Sequence, residues 1–154
     1  MFNFLFTKLK KMNTREKTSI TISTTVNAPV KKVWDYFSNP DHITKWNFAS
    51  DDWHSPKAEN DLIAGGKFSS RMEAKDGSFG FDFSGVYDEV KPNELIAYTL
   101  EDGRKVNVSF EESGSGTTIV ETFESETTHS YEMQRDGWQA ILNNFKKYVE
   151  ASEK

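Results

Sequence analysis

Between residues 18 and 26 the chain alternates, with Ile20, Ile22 and Val26 on one side and Ser19, Thr21, Ser23 and Thr25 on the other. A period of two belongs to a strand with one face in a core, so the first element is a half-buried strand. The period then lengthens. Val30, Val33, Trp34 and Phe37 fall at helical spacing behind Asn27-Ala28-Pro29, a cap and a proline suited to a first turn. A helix is predicted to about residue 38. Asn39-Pro40 ends it, because proline disfavours the helical conformation of the residue before it. Residues 41–45 allow one further turn ending at Trp46.

Alternation returns over 67–74, 79–90, 94–100, 103–111 and 117–125, separated by Asp76-Gly77, Pro92-Asn93, Asp102-Gly103 and the tip Gly114-Ser115-Gly116. That punctuation predicts antiparallel strands joined by hairpins. Phe79, Phe81 and Phe83 share a face, as do Val106, Val108 and Phe110, while Lys105, Asn107 and Ser109 face the other way. From 130 to 151 the period is helical again, and Gln134, Gly137, Trp138, Ile141, Leu142, Phe145, Tyr148 and Val149 form one stripe. Lys146 and Lys147 lie toward its C-terminal end, where the helix dipole favours cations. The predicted fold class is α+β: a curved antiparallel sheet with one dry face, wrapped around a long C-terminal helix, with two short helices after the first strand. A curved sheet gripping a helix leaves a wedge between them, a natural place for a ligand.

Composition narrows the function classes. The chain has 154 residues, the size of one domain, and its 28% charged and 14% aromatic residues exclude a disordered chain and a membrane span. It contains no cysteine, which removes disulfides, thiolate metal sites and cysteine nucleophiles and points to a reducing cytoplasm. The net charge of −5 disfavours a nucleic-acid partner. The charge is uneven: in residues 1–17, Lys8, Lys10, Lys11, Arg15 and Lys17 stand against Glu16 alone, a local +4 that leaves −9 on the remainder. The domain is therefore expected to span 18–151, with 1–17 a basic tail and Met12 an alternative start. The short apolar run at its head, with Phe2, Phe4, Leu5, Phe6 and Leu9, is too brief for a secretion signal; a peripheral membrane anchor is the alternative to a plain tail, and no stable membrane insertion is expected.

Four separated motifs carry a resemblance: Thr21 to Pro29 with Val33-Trp34, the turn from Asp41 to Trp46, Gly65-Gly66-Lys67-Phe68, and Asp136-Gly137-Trp138 running on to Phe145. Together they resemble the small proteins related to the activator of the heat-shock protein 90 ATPase, within the START and Bet v 1-like helix-grip superfamily, over about residues 18–150. The resemblance implies the helix-grip fold. It does not imply one activity, since such folds host unrelated functions. The family includes lipid carriers, receptors, cyclases and stand-alone domains. The chaperone contact that its name suggests is an alternative partner here, although no counterpart of the eukaryotic activator's separate chaperone-binding domain is expected within these 154 residues.

Candidate chemistry is sparse. His42, His54 and His129 have no metal-binding spacing, the Asp51-Asp52-Trp53-His54 cluster reads as a solvated loop, Gly65-Gly66 as a turn, and no nucleophile elbow surrounds any serine. No metal and no cofactor are expected. Glu121 shares its parity with Ile119 and Phe123 and is carried inward if they are; the alternative places Val120 and Thr122 inside. Arg71 is the candidate partner for an inward Glu121, but it opposes Phe68 and Met72 in parity, so its strand would have to bulge; otherwise it is a surface arginine. Trp34, Trp46, Phe48, Trp53, Phe81, Phe83 and Trp138 are candidate linings of an apolar cavity, with core packing as the alternative for each. Gly137, a costly residue inside a helix, implies that space or close approach is wanted on the apolar stripe.

The function expected is non-catalytic binding of a small apolar or amphipathic molecule by Trp34, Trp46, Phe48, Trp53, Arg71, Phe81, Phe83, Glu121, Gly137 and Trp138. A protein-interaction module of the chaperone-activator kind is second, and an enzyme using Glu121 as acid or base third. The charge asymmetry yields a first test: deleting residues 1–11 should move the thermal midpoint by less than about 2 °C. A larger loss in a calorimetric scan would show that the head packs on the domain.

Overall fold

A computed structural model of the chain describes residues 18–152. The basic head, with its alternative start and anchor, lies outside the described residues. The elements run β1 (Ser19–Val26), α1 (Val30–Ser38), α2 (Pro40–Trp46), β2 (Trp53–Asn60), β3 (Lys67–Ala74), β4 (Gly80–Lys91), β5 (Leu95–Leu100), β6 (Lys105–Ser113), β7 (Gly116–Glu124) and α3 (Tyr131–Ala151). All seven strands form one antiparallel sheet in the order β1-β7-β6-β5-β4-β3-β2. From β2 to β7 the chain is a meander, and β1 adds to its far edge beside the last strand. With α3 held against the inner face, this is an α+β helix-grip fold.

Alternation decides which side chains face the helix. Ile20, Ile22 and Val26 of β1, Ile96, Tyr98 and Leu100 of β5, Val106, Val108 and Phe110 of β6, and Ile119 and Phe123 of β7 are buried and join Leu142, Phe145 and Val149 of α3 in one core. The outer face is wet, and threonines pair across it, Thr21 with Thr122 and Thr25 with Thr118, each at 3.0 Å. Among the turn positions whose backbone lies in the left-handed region are Asn93, with φ 67°, and Gly103, with φ 92°. Asparagine and glycine tolerate it best.

β2 was not among the predicted strands; residues 51–54 read as a loop, and the strand begins at Trp53. Its sequence, Trp-His-Ser-Pro-Lys-Ala-Glu-Asn, lacks a clean apolar alternation, and its register against β3 shifts between His54 and Lys57, around Pro56. Proline donates no ladder hydrogen bond and belongs on an edge strand or at a bulge. Both conditions hold here. The other predicted elements appear with their ends moved by one or two residues.

The helices are tied together by polar contacts that set the end of the wedge. His42 of α2 stacks on Tyr36 of α1 at 3.8 Å between ring centroids, and its Nδ1 lies 2.8 Å from the Tyr148 hydroxyl of α3. The Trp46 indole N–H donates to the Tyr36 carbonyl at 2.9 Å, and the Asn144 amide of α3 donates to the Trp46 carbonyl at 2.8 Å. At the far end of α3, Glu150 accepts from the Asn27 N–H at 2.8 Å and from Lys146 at 2.9 Å. No basic residue lies in the last turn of α3, so Lys146 acts through these contacts and the Thr25 carbonyl rather than through the helix dipole.

Asn39 joins α1 to α2. Its N–H donates to the Asp35 carbonyl at 2.9 Å, ending α1, and its side chain accepts from the Asp41 N–H at 3.0 Å, capping α2. Asn39→Ala should cost about 1 kcal/mol of unfolding free energy, and Asn39→Asp should retain most of it. Urea denaturation of the two variants measures this; equal stability of Asn39→Ala and the parent protein would mean the cap contributes nothing.

Candidate functional site

The helix covers the sheet unevenly. At the end of the inner face away from α1 lies a cavity of about 320 Å³, lined by Trp46, Asn47, Met72, Phe81, Phe83, Tyr98, Arg104, Glu121, Glu126, His129, Met133, Gln134, Gly137, Trp138 and Ile141. Its volume is at the lower end of the usual range for small-molecule pockets. Its character changes from one end to the other. Trp46, Met72, Tyr98, Glu121 and Gln134 are buried, whereas Phe81 and Met133 are 40% and 62% exposed and frame an opening. A larger groove of about 730 Å³ crosses the outer face, but Glu59, Asp61, Asp82 and Glu101 in its lining are exposed to water.

The wall is aromatic. The Trp138 ring lies flat on Phe123, 3.8 Å between centroids and 8° between planes, and stands edge-on to Phe83 at 5.9 Å. At the residue before it, a Cβ added at Gly137 would meet nothing within 4 Å. The missing side chain there is open space, not a close approach to a strand.

Glu121 is on the inner face, as the parity of Ile119 and Phe123 implies, and is 7% exposed. Val120 and Thr122 point outward. Its cross-strand neighbours are Ile22 on β1 and Val108 on β6, so neither flank offers a polar partner. Among the described residues, no donor reaches its carboxyl. Burial pushes its pKa from 4.5 up to about 8, so at neutral pH the group is an uncharged acid. Tyr98, 9% exposed, is likewise buried without a hydrogen bond to its hydroxyl among the described residues. Burial, then the Glu121 carboxylate, hold that hydroxyl's pKa well above its ordinary value, with Arg104 opposing them.

The polar groups toward the opening are committed elsewhere. Gln134 fastens the loop before α3, donating to the carbonyls of Glu126 and His129 at 3.1 and 2.9 Å and accepting from the Glu126 N–H at 2.8 Å. Glu126 caps the same loop through the N–H groups of Thr128 and His129 and meets the His129 ring at 2.8 Å. Burial works to raise the Glu126 pKa, but those hydrogen bonds outweigh it and leave it lowered. Arg104 pairs with Asp102 at 2.9 Å.

Of the residues singled out from sequence, Trp46, Phe81, Phe83, Glu121, Gly137 and Trp138 come together at the cavity. Four are elsewhere. Arg71 is on the outer side of β3, paired with Glu73 at 2.8 Å and Asp82 at 3.4 Å. The bulge that would have turned it inward is absent, since β3 keeps an unbroken register with β4 from Lys67 to Glu73. Trp34 packs edge-on to Phe110 at 5.2 Å in the core. Trp53 stands against Phe79 and Phe81 at 6.1 and 6.2 Å, behind the lining. Phe48 follows α2 and leaves only its carbonyl near Asn144. Tyr98 was missed. Its parity with Ile96 and Leu100 places it inside, and a tyrosine among inward aliphatic residues was the available signal. His129, Glu126, Asn47 and Arg104 come from loops, where no periodicity announces a direction.

Comparison with known proteins places the chain. The model of the family described as Activator of Hsp90 ATPase homolog 1-like protein matches residues 27–150. The chain belongs to this family. Among solved structures, the solution structure of the AHSA1-like protein from Aeromonas hydrophila is 43% identical, with a TM-score of 0.83 over 88% of this chain and 94% of that one. A solution structure from Cytophaga hutchinsonii is 55% identical, with a TM-score of 0.76 over 87% and 93%. A crystal structure from Chromobacterium violaceum, 23% identical with a TM-score of 0.78 over 86% and 98%, shares the fold. No curated protein matches. Membership speaks in general terms of ligand or chaperone binding. Among the described residues, no helix is long and apolar enough to cross a membrane.

The raised pKa of Glu121 gives a sign for stability against pH. Below 4.5 the acid is protonated folded and unfolded; between 4.5 and about 8 only the folded state keeps the proton, so stability falls as pH rises through that window and levels off above it. Glu121→Gln lacks the proton. The stability of the parent relative to this variant should therefore fall by an amount on the order of 4 kcal/mol between pH 4.5 and 8. Urea unfolding at both ends of the window reads it, and a pH-independent difference would show that the carboxyl is solvated.

Proposed function

We propose that the protein binds a small apolar or amphipathic molecule in the cavity between the sheet and α3 and does so without catalysis. The observation that carries this reading is the buried acid: Glu121 lies in an aromatic cavity with no partner among the described residues. The carboxyl makes no hydrogen bond within the described residues but is not shut off from the cavity space, since among them only the Ser55 hydroxyl is both fully buried and unpartnered, so a bound molecule can reach it. Enzymic use of Glu121 needs an acid, base or nucleophile placed to work with it. Its strand neighbours are Ile22 and Val108, and of the titratable groups in the same lining Arg104 is paired with Asp102, Glu126 is held by His129, and Tyr98 makes no hydrogen bond to it.

The family's name refers to activation of a chaperone ATPase, and a partner protein of that kind would be met by a surface. A ligand is favoured by the space at Gly137, which a folded domain gains nothing by leaving on the apolar side of its longest helix. Glycine within a helix costs about 1 kcal/mol relative to alanine.

Gly137→Leu tests the reading by separating stability from binding. Leucine is the better helix former and meets no neighbour at its Cβ, so the thermal midpoint should hold or rise. Affinity for the neutral fluorophore N-phenylnaphthylamine, followed by its emission, should fall more than tenfold, about 1.4 kcal/mol. Unchanged affinity would mean that the fluorophore does not bind in the wedge, and a midpoint several degrees lower would mean there is no usable space there.

A further inference from the structure

A smaller cavity of about 70 Å³ adjoins the first, and Asn47, Phe83 and Tyr98 line both. Ser70, Tyr87 and Ile96 line the smaller one alone. Its space has a cause in the register. On β3, Ser70 stands between Ala58 of β2 and Phe83 of β4, so two of the three positions in that row carry small side chains. Ser70 is 6% exposed, and its hydroxyl makes no hydrogen bond among the described residues. It is not shut in, since among them only the Ser55 hydroxyl is both fully buried and unpartnered, so the Ser70 hydroxyl faces the chamber. In the same lining the Tyr87 hydroxyl accepts from the Asn60 amide at 3.1 Å, and its own proton has no acceptor among the described residues.

Side chains separate the two cavities. Phe83 and Tyr98 meet edge to face, 6.3 Å between ring centroids. Phenylalanine has no polar group, and the Tyr98 hydroxyl makes no hydrogen bond among the described residues, so no polar contact pins the partition. Each ring turns about χ1 between staggered positions. Phe68 completes the aromatic wall of the inner chamber, 4.9 Å from Tyr98 and 5.0 Å from Tyr87. None of the residues lining that chamber carries a charge.

We propose that the two cavities act as one elongated site for a long, uncharged amphipathic molecule: a ring-bearing body in the outer cavity, against Trp138 and the open position at Gly137, and an unbranched chain that passes Phe83 and Tyr98 and sets a terminal hydroxyl beside Ser70 and Tyr87. The inference rests on the ligand-binding reading and adds to it the ligand's length and the character of its inner end. The chamber has room on the order of two waters, enough for the last two or three non-hydrogen atoms of a chain. A carboxylate or ammonium there would be a buried charge without a counter-ion, which is costly. A hydroxyl both donates and accepts, as the Ser70 and Tyr87 hydroxyls do, so it meets them whichever way their protons point.

Naphthalene probes bearing a two-carbon or a six-carbon alcohol tail, and the six-carbon chain ended instead by methyl or by carboxylate, test this with the full chain. Met72 and Ile141 line only the outer cavity, and Ile43 and Ile96 only the inner one. In methyl-labelled protein the short alcohol should shift the resonances of Met72 and Ile141, and the long alcohol those of Ile43 and Ile96 as well. By calorimetry the long alcohol should bind about tenfold or more tighter than the short one, since its added methylenes are buried, and tighter than the carboxylate. Ser70→Leu, which fills the chamber, should return the long alcohol to the affinity of the short one; Ser70→Ala, which keeps the space, should weaken the long alcohol several-fold and leave the methyl-ended probe unchanged. If Ser70→Leu does not fold, the methyl shifts of the parent chain decide. The proposal is overturned by a long alcohol that moves only Met72 and Ile141, by a gain with length that survives in Ser70→Leu, by a carboxylate that binds as tightly as the alcohol, or by Ser70→Ala acting alike on the alcohol and the methyl-ended probe. In each case the cavity reading stands if Gly137→Leu weakens the short alcohol. If no probe binds the parent protein, or Gly137→Leu alters none of them, that reading falls as well.

Discussion

One helix cannot cover seven strands, and the rest of the structure follows from that mismatch. Seven strands about 4.8 Å apart make a sheet about 29 Å wide, while a helix with its side chains is about 10–12 Å across. The 21 residues of α3 extend about 31 Å, so length is ample and width is not. The sheet curls to bring its inner face toward α3, and α1 and α2 close one end through the contacts of Tyr36, His42 and Trp46 with Tyr148 and Asn144. Toward the start of α3 the gap is left open, bordered by Trp46 on one side and the loop before α3 on the other. The cavity is therefore a consequence of covering a wide sheet with one helix, and Gly137 enlarges it where a larger side chain would have reduced it.

Within that gap the chemistry is set by neighbours rather than by distance to a partner. Glu121 stays uncharged because Ile22 and Val108 surround it with hydrocarbon, and Arg71, which could have held it as a carboxylate, is across the sheet with Glu73 and Asp82. Polar residues nearer the opening are used to hold the loop before α3 in place, and Gln134 does this from the helix itself.

The parts of the fold written in periodicity were legible from the amino acids. β1, β3 to β7 and α3 follow from alternation and from the helical stripe, because one face of each is dry, and the turn residues mark where they end. β2 was not legible: an edge strand with a bulge near Pro56 buries little, so its sequence need not alternate. At the site, strand parity gives the inward direction of Glu121, Phe81 and Phe83, whereas Trp34, Phe48 and Trp53 were named for their aromatic character alone and lie outside the lining. Parity and aromatic content say that a side chain is inside but not which part of the inside, and whether Trp34 meets Phe110 or empty space depends on where the helices cross. The loop residues Arg104, Glu126 and His129 reach the site by tertiary packing alone.

The placement of β1 beside β7 bears on how the molecule is made. Ile22 and its partner Glu121 are separated by nearly the whole meander, so a growing chain emerging from the ribosome leaves the first strand without its hydrogen-bonding neighbour until β7 is out. Long-range closure of this kind is slow compared with hairpin formation. The pairing that joins β1 to β7 also sets the Glu121 carboxyl between two hydrocarbon flanks, so one long-range contact both covers the β7 edge and desolvates the acid.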